Sequence, residues 1–135
     1  LSNNEILFEK ELIEKDNVSV YGYRNELKHV IYNLLSNAAY AAGKRRKSEK
    51  IKAFVRTKVS FTENSVVIEV SDNGGGVPEK FAEEIFSPYF STKENGTGIG
   101  LYMAKSIIEN NMKGLLRFKN SSEGAVFTII LPRSG

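Results

Sequence analysis

An acidic residue followed by glycines, at the end of a strand pattern, is the first place in this sequence where chemistry can be located. Apolar and polar residues alternate from Ser65 to Ser71, which predicts a β-strand. Continued by one residue, the alternation turns Asp72 toward the apolar side, where a carboxylate is costly unless a donor meets it. The glycines at 74–76 let the backbone approach a ligand closely. Together they predict a pocket for a flat ligand with a donor edge.

A second candidate is a line of polar side chains within a helical pattern. His29, Asn33 and Asn37 follow one another at intervals of four residues, so they lie on one face of a helix. Asparagine is a poor residue for a helix interior, so two on one line require an explanation. One explanation is a polar face turned to solvent. The other is that the amide oxygens coordinate a hard cation such as magnesium, which accepts neutral oxygen ligands alongside phosphate.

A second group of glycines stands where another helical pattern begins, in the run Gly96-Thr97-Gly98-Ile99-Gly100-Leu101. Backbone N–H groups at a helix start form an anion site, although glycine clusters also mark plain turns. The spacing differs from the dinucleotide-binding fingerprint, and the sequence has no Gly-x-x-x-x-Gly-Lys-Ser/Thr loop. Just upstream, Thr92 and Lys93 supply a hydroxyl and a cation that can reach a terminal phosphate.

Two other clusters favour structural roles. An aromatic group between the two glycine runs is expected to anchor a lid to the core, and it comprises Phe86, Pro88, Tyr89 and Phe90. The basic run at 44–47 is expected to be a solvated loop. A nucleic-acid site is the weaker interpretation, because no aromatic residues interleave this run and the net charge is only +3.

Length and composition limit the classes of protein. The 135 residues, 41% of them hydrophobic and 26% charged, suit one domain with a single core. No apolar run approaches the roughly 18 residues that span a bilayer, and the N-terminus shows no signal-peptide pattern. The sequence has no cysteine for disulfides or thiolate metal sites, and its single histidine excludes a multi-histidine site. These features favour the cytosol.

The elements that position these residues follow from hydrophobic period and turn residues. Helical spacing starts at Asn25 and is expected to end at Gly43, with 44–50 as a basic loop. A second helix is predicted at 98–111, and a short helix at 78–86 opens with proline. The sequence shows no internal repeat and no linker, so one α/β domain is expected, and two hairpin-like strand pairs argue against a wholly parallel sheet. Strands are predicted at 51–59, 65–71, 115–120 and 125–131, with a short one at 18–21 and an edge strand that includes Ile6, Phe8 and Leu12.

Four segments, in this order along the chain, resemble the N, first glycine, F and second glycine boxes of sensor histidine kinases. They are Asn33-Leu34-Leu35-Ser36-Asn37-Ala38, Asp72-Asn73-Gly74-Gly75-Gly76, Phe86-Ser87-Pro88-Tyr89-Phe90 and the run at 96–101. These kinases belong to the Bergerat-fold superfamily, with gyrase-type ATPases and heat-shock chaperones. The resemblance covers roughly residues 18 to 132. It implies a two-layer α/β (α+β) sandwich, with a mixed, mostly antiparallel sheet of about five strands and three helices on one face.

The resemblance also implies a site for ATP and magnesium. Asp72 would accept a hydrogen bond from the adenine amino group, Asn37 would hold the metal, and Asn33 would help to place the metal and the phosphates. Lys93 in the lid would offset charge that develops during transfer, so Asn33 and Lys93 are the expected catalytic residues. The implied ATP-binding set is Asn33, Asn37, Asp72, Gly74, Gly76, Val77, Thr92, Lys93, Gly96, Thr97, Gly98, Gly100 and Leu101.

Three positions modify what the resemblance implies. Hydrolysing relatives carry a glutamate base where this chain has Asn33, and an amide cannot take a proton from water, so the site suits transfer to a protein nucleophile. Many kinases have a basic residue three positions after the second asparagine. Tyr40 stands there in this chain, and Lys44 follows one turn later. Ala125 replaces a threonine often seen before the last strand, which removes a hydroxyl near the expected adenine.

The resemblance implies partners as well. In the family the phosphoacceptor histidine lies on a separate helical hairpin, whereas His29 lies inside the nucleotide-binding helix. Residues 1–135 are therefore expected to form one cytoplasmic catalytic domain without that hairpin, whether or not the parent protein is membrane-anchored. The expected reaction passes the γ-phosphoryl group of ATP to that histidine, and through it to a response regulator, as in two-component signal transduction. No contact with nucleic acid or membrane is expected of this domain.

Three alternatives stay open at the level of the sequence. A serine kinase of the anti-sigma type shares these boxes and has a different acceptor. A nucleotide-binding module would regulate a partner without transfer. A hydrolytic clamp ATPase fits less well, since Asn33 offers no base.

Overall fold

Five strands form one sheet, and their bounds are β1 (Leu7–Leu12), β2 (Phe54–Phe61), β3 (Ser65–Asp72), β4 (Leu115–Asn120) and β5 (Ala125–Pro132). The computed structural model describes residues 7–12, 24–49, 52–90 and 99–133. The spatial order of the strands is β1-β2-β3-β5-β4. β1 runs parallel to β2, and the other neighbouring pairs are antiparallel. The predicted edge strand and the two hairpins are thus confirmed.

The helices form a second layer against this sheet. Helix α1 (Arg24–Glu49) contacts β2 and β3, and helix α2 (Gly100–Ser106), which ends in a π-helical turn at Ile107–Asn111, contacts α1 and β4. Buried side chains recur along α1 at intervals of four residues, so this line faces the sheet: Val30, Leu34, Ala38 and Ala42. The prediction of a two-layer sandwich with a mixed, mostly antiparallel sheet is confirmed.

The alternation along β3 places an acid at the boundary of the core. Val66, Ile68 and Val70 are buried between the sheet and the helices, and Asp72 is the next residue on the same face. Because β3 lies between β2 and β5, Asp72 is opposite Val55 of β2, and its neighbour Ser71 is opposite Val126 of β5. The strand pattern therefore delivers a carboxylate to the interior, as the sequence predicts.

Helix α1 is longer than predicted. The prediction that it ends at Gly43, and that 44–50 is a basic loop, is wrong, because the helix continues to Glu49. A glycine inside a helix costs about 1 kcal/mol relative to alanine. The residues that follow offset this cost, since lysine, arginine and glutamate favour helix, and Arg45 makes tertiary hydrogen bonds.

Two other elements differ from the predicted ones. The short helix at 78–86 is instead a single 3₁₀ turn (Glu79–Phe81) followed by further turns, because its hydrogen bonds join residues three apart rather than four. The described helices therefore number two, with one 3₁₀ turn, where three helices were predicted. The strand expected from residue 51 begins at Phe54. Ahead of it, the Lys52 carbonyl accepts a hydrogen bond from the Asn73 side chain, which follows β3, in place of a bond from a neighbouring strand. The strand predicted at 18–21 lies outside the described residues.

Candidate functional site

Asp72 closes β3 with its side chain almost fully buried, at 4% exposure. Its Oδ1 atom accepts hydrogen bonds from the backbone N–H of Gly74, at 2.7 Å, and of Ala125, at 3.5 Å. Neither of these bonds involves Oδ2. The carboxylate is therefore fixed in place through one oxygen, while the other is available to a donor from a ligand.

Burial raises the pKa of Asp72 above its ordinary value of 3.8, and the two backbone N–H donors oppose that rise. The folded protein thus holds a proton on this carboxyl at a pH where an unfolded chain has released it. It follows that the ionised acceptor is formed at a cost in stability, which a ligand donor can offset.

The glycines around Asp72 are required by close packing. A Cβ atom on Gly74 would lie 2.6 Å from both the carbonyl carbon and the Cβ of Ala41 in α1. A Cβ atom on Gly124 would overlap the backbone carbonyl of Asp72 and lie 2.6 Å from its Oδ1. The Gly124 approach brings backbone against the acid, and the Gly74 approach brings the chain after the acid against α1, so the packing on both sides depends on the absence of a side chain.

The segment at 73–77, here termed the glycine loop, is held by two asparagines that the sequence analysis did not select. Asn73 is 7% exposed; its Oδ1 accepts from the N–H of Phe54 at 3.0 Å, and its Nδ2 donates to the Lys52 carbonyl at 2.6 Å. Asn120, at the end of β4, uses both amide atoms on one residue. Its Oδ1 accepts from the N–H of Val77 at 2.9 Å, and its Nδ2 donates to the Val77 carbonyl at 2.7 Å.

Helix α1 borders the site with one line of residues that recur at intervals of four. This line is here termed the α1 stripe and comprises Asn33, Asn37, Ala41 and Arg45. At one end, a Cβ atom on Gly100 would lie 3.1 Å from Oδ1 of Asn33, so this amide faces the first residue of α2. At the other end, Ala41 contacts Gly74. Asn33 and Asn37 are both partly exposed. The stripe thus connects the start of α2 with the glycine loop.

Several predicted site residues are therefore brought together. Asn33 and Asn37 lie on the α1 stripe, with Gly100 and Leu101 at the start of α2 and Asp72, Gly74, Gly76 and Val77 at the opposite end. His29, on the same helix face, is exposed. The remaining predicted site residues lie outside the described part of the chain: Thr92, Lys93, Gly96, Thr97 and Gly98.

The aromatic group is divided between core and surface. Phe86 packs edge-on against Phe127 of β5, with ring centroids 6.2 Å apart, and Phe90 contacts Phe81 at 5.4 Å. Both pack at the margin of the hydrophobic core, as predicted, while most of the lid that they are expected to anchor lies outside the described residues. Tyr89, by contrast, is 79% exposed with a positive φ of 67°. The anchoring role predicted for Tyr89 is therefore wrong, and the same holds for Pro88, which is also exposed.

Comparison with known proteins agrees with this geometry. Residues 22–135 match the family described as histidine kinase-, DNA gyrase B-, and HSP90-like ATPase. The match covers most of the chain, and the chain belongs to this family. Within it, the fold and the ordered boxes define the ATP-binding domain of a sensor histidine kinase, which confirms the resemblance seen in the sequence.

Individual relatives support the same class. The chain is 34% identical to sporulation kinase A of Bacillus subtilis over 127 residues, 94% of this chain and 20% of the relative. It is 40% identical to the sensor histidine kinase ZraS of Salmonella typhimurium over 109 residues, 80% of this chain and 22% of the relative. The chain therefore spans about a fifth of the length of these two curated relatives.

Solved structures give the same fold. The catalytic domain of the histidine kinase ThkA superposes with a TM-score of 0.82 at 30% identity, covering 98% of this chain and 82% of that one. A structure of ThkA in complex with the response regulator TrrA matches with a TM-score of 0.78 at 27% identity, covering 97% of this chain and 35% of that one. Within its described ranges, the present structure contains no helix that is long and apolar enough to cross a membrane.

Proposed function

We propose that residues 1–135 form a single catalytic domain that binds Mg-ATP and transfers the γ-phosphoryl group to a histidine on a separate helical phosphoacceptor domain. The observation that carries this proposal is the buried Asp72, which is fixed through Oδ1 and open at Oδ2. It lies beside the Ala41 end of the α1 stripe, and the Asn33 amide at the other end of that stripe faces Gly100. Membership of an ATPase family supports ATP as the nucleotide.

The purine is assigned to the Asp72 end. Oδ2 accepts a hydrogen bond from the exocyclic amino group of adenine, an interaction that guanine, with a carbonyl at that position, does not offer. Gly74 and Gly76 allow the backbone to lie beside the base, and Val77 gives an apolar contact. Ala125 donates its backbone N–H to Asp72 and offers no hydroxyl, so specificity rests on the carboxylate itself.

The phosphates are assigned to the Asn33 end. Backbone N–H groups of Gly100 and Leu101 at the start of α2 suit phosphate oxygens. The amide oxygens of Asn33 and Asn37 suit magnesium, which takes neutral oxygen ligands together with substrate phosphates. When bound, the metal neutralises charge on the transferred group. Lys93 and Thr92, with the glycines at 96–98, complete this assignment as proposals from the family boxes.

The choice of transfer over hydrolysis rests on Asn33. A hydrolase requires a base that takes a proton from water, and a carboxamide cannot do so. Asn33 nevertheless faces Gly100, where the phosphate tail is assigned. A site that binds a metal and phosphates but activates water poorly is suited to an incoming protein nucleophile.

The proposed partners follow from the relatives. ThkA is a histidine kinase whose structure was solved in complex with a response regulator, and two relatives are named as sensor or sporulation kinases. For this chain we assign the same kind of pathway: a helical phosphoacceptor domain of the parent protein, then a response regulator, in the cytoplasm.

Labelled transfer tests the proposal. The chain is incubated with ATP labelled at the γ-phosphate, magnesium and a helical hairpin that carries one accessible histidine. We expect label on the hairpin that is lost in acid and survives in alkali, as for phosphohistidine. Label that survives acid would identify a serine kinase. ATP binding without label would identify a regulatory module, and phosphate release with no acceptor present would identify an ATPase. Each of these three outcomes would overturn the proposal.

A further inference from the structure

Arg45 lies at the end of the α1 stripe, one turn beyond Ala41, and contacts the glycine loop from the helix side. Its Nη1 donates to the carbonyl of Asn73 at 3.0 Å and to the carbonyl of Glu123 at 2.9 Å. These two carbonyls flank the acid in space, because Asn73 follows Asp72 and Glu123 precedes Gly124, whose backbone packs on Asp72. One guanidinium therefore joins the β3 end to the turn between β4 and β5.

The same turn also bonds directly to the glycine loop. The N–H of Gly75 donates to the Glu123 carbonyl at 3.1 Å, so that carbonyl accepts from both Gly75 and Arg45. A Cβ atom on Gly75 would be 3.7 Å from Cδ of Arg45, which is ordinary van der Waals contact. The arginine stem thus covers the loop while its head group fixes the loop to the neighbouring turn.

Asn120 holds the other end of the loop. Its amide makes two hydrogen bonds to Val77 and a longer one, at 3.4 Å, to Oε1 of Glu79, and a Cβ atom on Gly76 would overlap its Oδ1. Gly75 and Gly76 have φ values of +90° and +80°. Glycine adopts such positive φ values readily, and in a free chain it also adopts many other conformations. A loop of this composition loses much entropy on ordering, so contacts that fix it before a ligand arrives raise the population that can bind.

We propose that Arg45 and Asn120 are positioning residues that preform the glycine loop for the purine, without touching the nucleotide. The inference rests on the proposed function, because that proposal assigns the purine to the glycine loop. In this arrangement the α1 stripe has one end at the phosphates and its other end, at Arg45, beside the base. The apparent affinity is proportional to the fraction of molecules whose glycine loop is in the conformation that binds. Removing either residue therefore lowers the affinity for every adenine ligand by the same factor.

A direct contact between the guanidinium and a phosphate is the competing explanation, and a series of ligands separates the two. For a positioning residue, adenosine, AMP and ATP lose affinity by the same factor. For a phosphate ligand the loss grows with the number of phosphates and is absent for adenosine. The variants are Arg45→Met, Asn120→Ala and the charge-matched control Lys47→Met, in which an exposed lysine of the same helix end is removed.

Calorimetric titration of each variant with the three ligands is the test. We expect Arg45→Met and Asn120→Ala to weaken all three by about tenfold, equivalent to about 1.4 kcal/mol, and Lys47→Met to stay within twofold of the parent. Unchanged adenosine affinity in both variants, or a loss confined to ATP, would overturn the inference.

Amide hydrogen exchange of the ligand-free protein gives a readout that does not depend on the nucleotide. Arg45→Met should accelerate exchange at Gly74 and Gly75 at least tenfold while Val70, inside β3, stays as protected as in the parent. Unchanged exchange at the glycines would contradict the inference even if affinity falls. If the parent chain itself binds no adenine ligand, the proposed function fails; if the parent binds and the variants bind equally, only this inference fails.

Discussion

The two ends of the site are built in different ways. At the proposed purine end, Asp72, Asn73 and Asn120 are each fixed by hydrogen bonds to backbone atoms, and two glycines pack against neighbouring backbone. At the proposed phosphate end, Asn33 and Asn37 are partly exposed side chains one turn apart on α1, and Asn33 faces the start of α2. The purine end is built from hydrogen bonds to backbone atoms and close backbone packing, whereas the alignment of the two amides at the other end follows from the period of a helix.

This difference indicates that the two ends contribute differently to stability, binding and chemistry. The purine end is complete before the ligand arrives, so its residues affect stability as well as binding. The phosphate end presents donors and acceptors to a metal and to phosphates that the substrate brings, so its residues affect chemistry more than stability. Substitutions at the two ends should therefore give opposite patterns of loss.

The largest effect is expected at the phosphate end. Asn37→Ala should lower the rate of phosphoryl transfer by about a hundredfold or more, because it removes an oxygen assigned to the metal. Adenosine affinity and the urea midpoint should change little. Transfer assays and adenosine titration measure both, with Asn25→Ala, an exposed asparagine of α1, as the control. An equal loss of adenosine affinity would contradict the division between the two ends.

Gly74→Ala tests the packing at the purine end. The new Cβ would meet the backbone of Ala41 at 2.6 Å, so we expect a loss of about 1 to 3 kcal/mol in the free energy of unfolding, together with weaker adenosine binding. Because backbone atoms make part of the clash, adding Ala41→Gly should not restore stability. Full restoration in the double variant, measured by urea denaturation, would show that only the side chain matters.

Asn73→Ala should cost about 1 to 2 kcal/mol of stability, since it leaves the partly buried N–H of Phe54 and the carbonyl of Lys52 without their partner. Asn110→Ala, at an exposed asparagine bonded to Ser106, is the matched control and should cost less than about 0.5 kcal/mol. Chemical denaturation of both variants provides the measurement. Equal costs in the two would show that Asn73 does not support the glycine loop.

The smallest effect is a pH dependence at Asp72. Burial raises the pKa of Asp72 in the folded state. The protonated carboxyl therefore contributes stability that is fully present below about pH 3.8, the ordinary pKa, and that is lost as the pH rises through the higher pKa of the folded state. Adenosine affinity should rise over the same interval, since the ionised form is the better acceptor. Stability and affinity measured across that range should thus move in opposite directions, and parallel changes would contradict the assignment.

How far the sequence predicts the molecule depends on whether a feature is local. The inward turn of Asp72 follows from a period of two, and the line of Asn33 and Asn37 from a helical period, so both could be predicted. The bonds of Arg45 and Asn120 join residues separated by 28, 78 and 43 positions, and no local pattern marks them. Gly43 resembled a helix end because the contacts that extend α1 beyond it are tertiary. Had the α1 stripe been continued past Ala41, Arg45 would have fallen on it.

Adenosine titration of Asp72→Asn isolates the proposed hydrogen bond between Oδ2 and the purine, because this ligand lacks phosphates and needs no metal. The substitution keeps the shape of the side chain and an acceptor for Gly74, and it places an amide donor or a weaker neutral acceptor where Oδ2 meets the purine amino group. Glu69→Gln, a carboxylate on the opposite face of β3, serves as the control. We expect adenosine affinity to be at least about tenfold weaker for Asp72→Asn alone, as for loss of a charge-assisted hydrogen bond. Adenosine affinity equal to that of the parent chain would contradict it.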